Sequence, residues 1–401
     1  MDILYLYRFI PIILFLHPYI LAHNRKNKIS KLICGLYLTS SIGSLFVSPY
    51  YLSWHDFEND TFFGFLYYGL FNLPFLYISL NIKPFYTLEN IRFDIFTKLF
   101  MGILGAGAVY SVFYQLPYVI KAMSMSAYEV RTMGESLLPS SFFTTIAVGF
   151  PMFLFLYVFY FYLNLVKRWN KFLGALMLLG AFNFVINALT ISGRDGLLFF
   201  ILAFILGYLL FENYLTKKNK IYLRYIGSII FIAGLVIITI FTLSRFSTAK
   251  EESVYYAFNT GILNYFSMQA FTFNDVLKFH ESFSYGNDSF PLFFSWFSDL
   301  DNQKRNLSMP YMWNFSGYVG TFYKNGGYEF LSLLILIFYL IFRSVRKMHL
   351  NFYLYSFSIL SFYFFFMTSG LFYFRLGNSG GNLFILFSLV MMLLFKKRIV
   401  F

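Results

Sequence analysis

Ser192-Gly193-Arg194-Asp195-Gly196 is a five-residue polar turn between two apolar runs, FLGALMLLGAFNFVINALTI and LLFFILAFILGYLLF. A guanidinium keeps its proton and grips phosphate or carboxylate through two parallel N–H donors. Ionisable residues at membrane depth are costly and usually serve a function. The chemistry expected of Arg194 is therefore the binding of an anionic group. Three further arginines, Arg131, Arg245 and Arg375, fall in connections of the same side. Arg194 opens one apolar run and Arg245 closes the next, so both sit at one membrane–water boundary. The plain alternative is that each arginine snorkels to the interface or touches lipid headgroups.

Asp195 stands beside Arg194. Adjacent residues on a helix do not face each other. Its carboxylate either favours the N-terminus of its helix, or it orients Arg194 or accepts a proton. His280 and Glu281 follow Lys278 in a polar connection and are candidates to take a proton from a hydroxyl, as are Glu251 and Glu252. An ordinary solvated loop position is the alternative for each. Trp296 and Trp313 are placed either to stack on sugar rings or to form an interfacial aromatic belt. TFYKNGGYEF, 321–330, reads as a tight turn returning the chain to a helical bundle. The single cysteine, Cys34, lies in an apolar run, which excludes an internal disulfide and a cysteine-type metal site.

These residues need elements to hold them. Of 401 residues, 59% are hydrophobic and 12% charged, where a soluble chain would carry about 25% charge. Many apolar runs approach twenty residues, and no period-two alternation is sustained. The reading is an all-α polytopic membrane protein. Eleven spans are expected: 3–22, 32–52, 62–81, 99–119, 142–166, 172–191, 197–211, 225–244, 328–342, 350–368 and 381–395. The first contains Arg8, Pro11 and His17 and lacks a small-residue cleavage site, so it reads as a span rather than a signal peptide.

The net charge of +13 does not point to nucleic acid, because the cations cluster in short connections. Twenty of the 31 Lys and Arg fall in 23–31, 82–98, 167–171, 212–224, 343–349 and the tail. The positive-inside rule makes those segments cytoplasmic, with the N-terminus outside and the C-terminus inside. The other side then holds WHDFEND at 54–60, residues 120–141, the Arg194 turn, and the 83 residues from Arg245 to Gly327. A structureless loop of that length is uncommon, so it is expected to fold into short helices lying on the membrane surface, one of them over 258–279. The chain divides into spans 1–8 (1–244), an extracytoplasmic connection (245–327) and spans 9–11 (328–401).

The Arg194 turn opening a span resembles the corresponding turn of bacterial O-antigen and capsule repeat-unit polymerases, the Wzy type. The late outer connection, the FYKNGG segment opening a span, the length and the Phe/Tyr-rich composition also resemble that family. The resemblance implies a glycosyltransferase-C-like bundle with an outward-facing cavity in the bacterial cytoplasmic membrane. It implies joining of undecaprenyl-diphosphate-linked oligosaccharides on the outer face, with no cofactor, metal or nucleotide sugar. A chain-length regulator and a flippase are the implied protein partners.

On this reading, Arg194 and Arg245 stabilise the charge that develops on the leaving lipid diphosphate. Arg131 and Arg375 hold the second lipid diphosphate. Lys278, Trp296 and Trp313 contribute to substrate binding, and Asp195 or His280 assists the acceptor hydroxyl. Two other readings use the same cations: a flippase for lipid-linked glycans, which breaks no bond, and a glycan ligase, which moves the chain to a different acceptor. A membrane acyltransferase would draw on Arg8 and His17 of the first span.

Overall fold

The computed structural model describes residues 3–48, 52, 55–85, 88, 95–125, 130, 137–139, 141–191, 193, 195–246, 259–279, 283–287, 289–295, 315–347 and 353–396. Of 3–4, 59, 241–246, 279, 295, 346–347, 353–354 and 395–396 only the backbone is described. Among the described residues the secondary structure is helical, apart from an isolated parallel bridge between Gly317 and Tyr373. The first ten helices are α1 (Ile3–Tyr7), α2 (Phe9–Asn24), α3 (Lys28–Gly43), α4 (Phe62–Ser79), α5 (Ile95–Met123), α6 (Phe142–Gly149), α7 (Leu154–Lys167), α8 (Lys171–Leu189), α9 (Asp195–Phe211) and α10 (Lys217–Phe246). Then follow α11 (Asn264–Ser267), α12 (Gln269–Phe279), α13 (Pro291–Ser295), α14 (Gly317–Arg343), α15 (Tyr353–Gly370) and α16 (Ser379–Lys396).

Every apolar run expected to span coincides with helix. Eight helical segments are long and apolar enough to cross a membrane: Tyr5–Asn24, Lys28–Phe46, Phe62–Ser79, Ile95–Met123, Phe142–Lys167, Lys171–Leu189, Lys217–Ile240 and Gly317–Arg343. The remaining three runs form α9, α15 and α16, of 17, 18 and 18 residues. Local chemistry sets several boundaries. Side chains of Asn27, Thr61, Ser141 and Asn170 accept backbone N–H groups that open α3, α4, α6 and α8. The second run stops being helical at Phe46, short of the expected 52, where Val47 turns extended ahead of Ser48-Pro49. Arg168 ends α7 in the left-handed conformation at φ 52°.

The chain forms two compact units that interleave in sequence. The first comprises 1–83, 242–347 and 366–378. Its core is aromatic: Phe15 meets Tyr37 edge-on at 5.7 Å, and Phe75, Tyr318 and Phe338 surround Phe366 at 4.4–5.0 Å. The second unit comprises 84–241, 348–365 and 379–401. Here α5 and α8 are joined by a polar ladder at helical spacing. Asn183 Nδ2 donates to Ser111 Oγ (2.7 Å), Gln115 Nε2 to the same oxygen (2.8 Å), and Asn187 Nδ2 to Gln115 Oε1 (2.8 Å). Inter-helix bonds of this kind fix helix pairs where the hydrophobic effect does not discriminate.

Two elements of the first unit position the polar residues discussed below. The segment expected as one helix over 258–279 is instead a single π-turn (Asn259–Leu263), α11 and α12. It does not lie on a surface. Residues 269–276 are buried, Phe271 packs on Phe65, and Phe273 packs on Tyr68 and Tyr323. Gly64 of α4 leaves room for Asn274, whose Oδ1 accepts from the Thr61 backbone and hydroxyl. The polar positions of α12 thus find internal partners, which removes the need for a solvated face.

The second element is α14, which breaks at Gly326-Gly327, inside the glycine segment read as a turn. Gly327 holds φ 68° with ψ −157°, a conformation open essentially to glycine alone. Phe322 and Phe338 stack across the break at 5.5 Å, so the chain folds back on itself.

Candidate functional site

Most residues singled out from sequence fall where the structure gives no side chain. Arg194, His280, Arg131, Trp296 and Trp313 lie outside the described residues, as do Glu251, Glu252 and Glu281. Arg245 is in the last turn of α10, with its side chain outside the description. Asp195 is the first residue of α9 and is buried. Its position suits a carboxylate at a helix N-terminus. The flanking glycines allow close approach: a Cβ at Gly193 would lie 2.7 Å from the Asp195 carboxylate, and one at Gly196 would strike Ala188. Lys278 is exposed in the last turn of α12.

Arg375 belongs to the first unit, in a 3-10 turn between α15 and α16, and is 7% exposed. Its Nη1 donates to the Tyr373 hydroxyl at 2.5 Å, and its guanidinium lies 5.9 Å from the same ring. A second buried cation, Lys324, precedes the Gly326-Gly327 break. Asn325 ties this break to the chain at 284–289 through Ser284 and Ser289 hydroxyls. An apolar groove of about 530 Å³ runs between α4 and α14, lined by Phe71, Pro74, Tyr77, Ile335, Leu336 and Tyr339.

Among the described residues, the densest set of charges is one the sequence did not reveal as a set. His55, in the connection between α3 and α4, is held at both ring nitrogens. Nδ1 lies 2.8 and 2.9 Å from the two Asp275 carboxylate oxygens, and Nε2 lies 3.0 Å from Asp60 Oδ1. A neutral imidazole has only one N–H, so donation to both carboxylates requires the imidazolium. The side chains are closed from solvent, at 0% exposure for His55, 1% for Asp60 and 4% for Asp275.

Arg8 completes the set. It lies between α1 and α2, and its Nη1 donates to the Ser44 and Val47 carbonyls at 3.2 and 2.9 Å. Its guanidinium sits 4.9–5.1 Å from the rings of Tyr5, Phe57 and Phe271. His17, on the same helix, hydrogen-bonds Tyr77, so Arg8 and His17 serve different contacts.

The electrostatics follow from burial and pairing. Burial alone drives His55 toward its neutral form. Hydrogen bonds and charge from Asp275 and Asp60 outweigh it and raise the His55 pKa to about 9. Burial also raises both carboxyls, with the His55 bonds acting in the opposite sense. Arg8 and His55 against Asp60 and Asp275 make two positive and two negative charges, a balanced quartet. Such a set joins the 55–60 connection to α12 and to the α1–α2 junction. Closed and balanced, it is built to tie elements together rather than to receive a substrate anion. Among the described residues no group of three or more His, Cys, Asp or Glu side chains is arranged to hold a metal ion.

No family model, curated protein or solved structure matches the chain.

The signals for the quartet were present but scattered. WHDFEND reads as an acidic loop and Arg8 as a cation in a span. Asp275 lies 220 residues from His55, so only the insertion of α12 beside α4 joins them.

Proposed function

We propose that the protein is a metal-independent glycosyltransferase. It polymerises undecaprenyl-diphosphate-linked repeat units into O-antigen or capsular polysaccharide on the outer face of the bacterial cytoplasmic membrane. The observation that carries this reading is Arg375: a cation expected from sequence to bind a lipid diphosphate is nearly buried, in a 3-10 turn that follows an apolar helix. A guanidinium there is fixed in direction and poorly screened, which strengthens its attraction for an anion. The apolar groove between α4 and α14 suits a lipid chain. Eleven crossings, with the N-terminus outside, put Arg375, the Arg194 turn and the end of α10 on the outer side.

The transfer breaks the bond between the sugar anomeric carbon and the diphosphate oxygen of the donor lipid. It forms a bond from that carbon to the non-reducing-end hydroxyl of the next repeat unit. Undecaprenyl diphosphate leaves with the bonding pair, and Arg194 and Arg245 stabilise its added charge. The hydroxyl proton passes to a base, Asp195 or His280. Arg375 and Arg131 hold the acceptor's diphosphate.

Gel analysis of the host's surface polysaccharide tests this. Deleting the gene should leave single repeat units on the anchor. Absence of any glycan on the anchor would point to a flippase, and long unattached chains to a ligase. Arg375→Ala should copy the deletion while the protein still accumulates in the membrane. A full chain-length ladder in the deletion strain would overturn the proposal.

A further inference from the structure

We propose that protonated His55 is a latch that fixes α12, and with it the outer connection carrying Lys278, to the body of the first unit. The imidazolium is the only bridge of its kind between Asp60 and Asp275 among the described residues. It spans two segments that sequence keeps far apart: the 55–60 connection and α12. Each end of the bridge needs a proton on the facing nitrogen. Removing one proton leaves one carboxylate facing a nitrogen lone pair, and the joint changes from attraction to repulsion.

The setting makes the joint sensitive. Charged and titratable groups face the quartet from every element packed on it. Asp60 and the exposed Asp56 belong to the 55–60 connection, Arg8 and Tyr5 to the α1–α2 junction, and Asp275 to α12. Asp60 Oδ2 and Arg8 Nε are buried and have no hydrogen-bond partner among the described residues. The quartet therefore has little in reserve if His55 loses its charge. Other α12 contacts are the packing of Phe271 and Phe273, the Asn274 and Gln269 bonds, and a Thr272 hydroxyl that donates to the Phe315 carbonyl.

Lys278 lies three residues beyond Asp275, on the neighbouring turn of α12. His55 is thus a positioning residue: it acts on the outer connection through Asp275 and touches no substrate itself. The inference stands independently of the glycosyl-transfer reading, since it concerns what holds α12 in place.

The test is amide hydrogen exchange on the full-length protein in lipid nanodiscs, read on peptides from 269–279, with a peptide from α7 as control. After correction for intrinsic exchange, protection of 269–279 should fall at least about tenfold as pH rises through 9, while the α7 peptide stays level. His55→Gln, which keeps volume and one donor but no charge, should show weak protection at neutral pH and no step. Wild-type protection that stays flat to pH 10 would overturn the latch. So would an unchanged step in His55→Gln. The wild-type titration decides the matter even where the variant fails to fold.

Discussion

Arg8 and Arg375 are both buried guanidiniums, and their surroundings divide them. Arg8 is enclosed by carbonyls and aromatic rings, and the charge of Asp60 acts on it. Removing it, as in Arg8→Ala, leaves the quartet one positive charge short. The variant also loses two carbonyl hydrogen bonds and the packing of the guanidinium on three rings, so its melting temperature in detergent should fall. Asp60→Asn should behave similarly.

The pH dependence has a definite sign. The folded pKa of His55 lies above its ordinary 6.5, so its contribution is fully present below that value and lost as pH rises through about 9. Wild-type melting temperature should fall across that window, and His55→Gln should flatten the fall. Arg375→Ala should leave stability less affected and remove polymer. Arg375 stands out in the sequence because a lone arginine interrupts an apolar stretch. His55 does not, since a histidine in an acidic loop looks solvated until Asp275 is brought to it.

At the scale of elements, apolar length and end chemistry made the helices readable: helix occurs at all eleven expected runs, and eight segments are long and apolar enough to cross a membrane. The misread element was α12. Its mixture of Phe, Asn, Gln and Asp resembles a surface helix by pattern, yet Gln269, Asn274 and Asp275 are paired inside. Glycines record these close approaches. A Cβ at Gly64 would fall within 1.9 Å of Asn274 Oδ1. Gly64→Ala should therefore loosen α12 and destabilise by about 1–3 kcal/mol. Gly227 of α10 has nothing within 4 Å of an added Cβ, and Gly227→Ala should be neutral or gain up to about 1 kcal/mol. Gly327→Ala forces a side chain into a glycine-only conformation and should cost about 1–3 kcal/mol. Melting temperatures of the three variants in one detergent check all three.

For the whole molecule, the proposed function depends on the orientation expected from the charge distribution. Reporter fusions at Lys218 and Gly286 should report cytoplasmic and external locations respectively. The opposite pair would put Arg375 and Asp195 on the cytoplasmic side and contradict the proposed function. The most direct test of the central claim uses purified protein in vesicles with undecaprenyl-diphosphate-linked repeat units as the sole substrate. The account predicts glycans of two or more repeats on the lipid, with one undecaprenyl diphosphate released per bond formed. Arg375→Ala should abolish these products. Repeat units that stay single, whether or not they cross the bilayer, would contradict it.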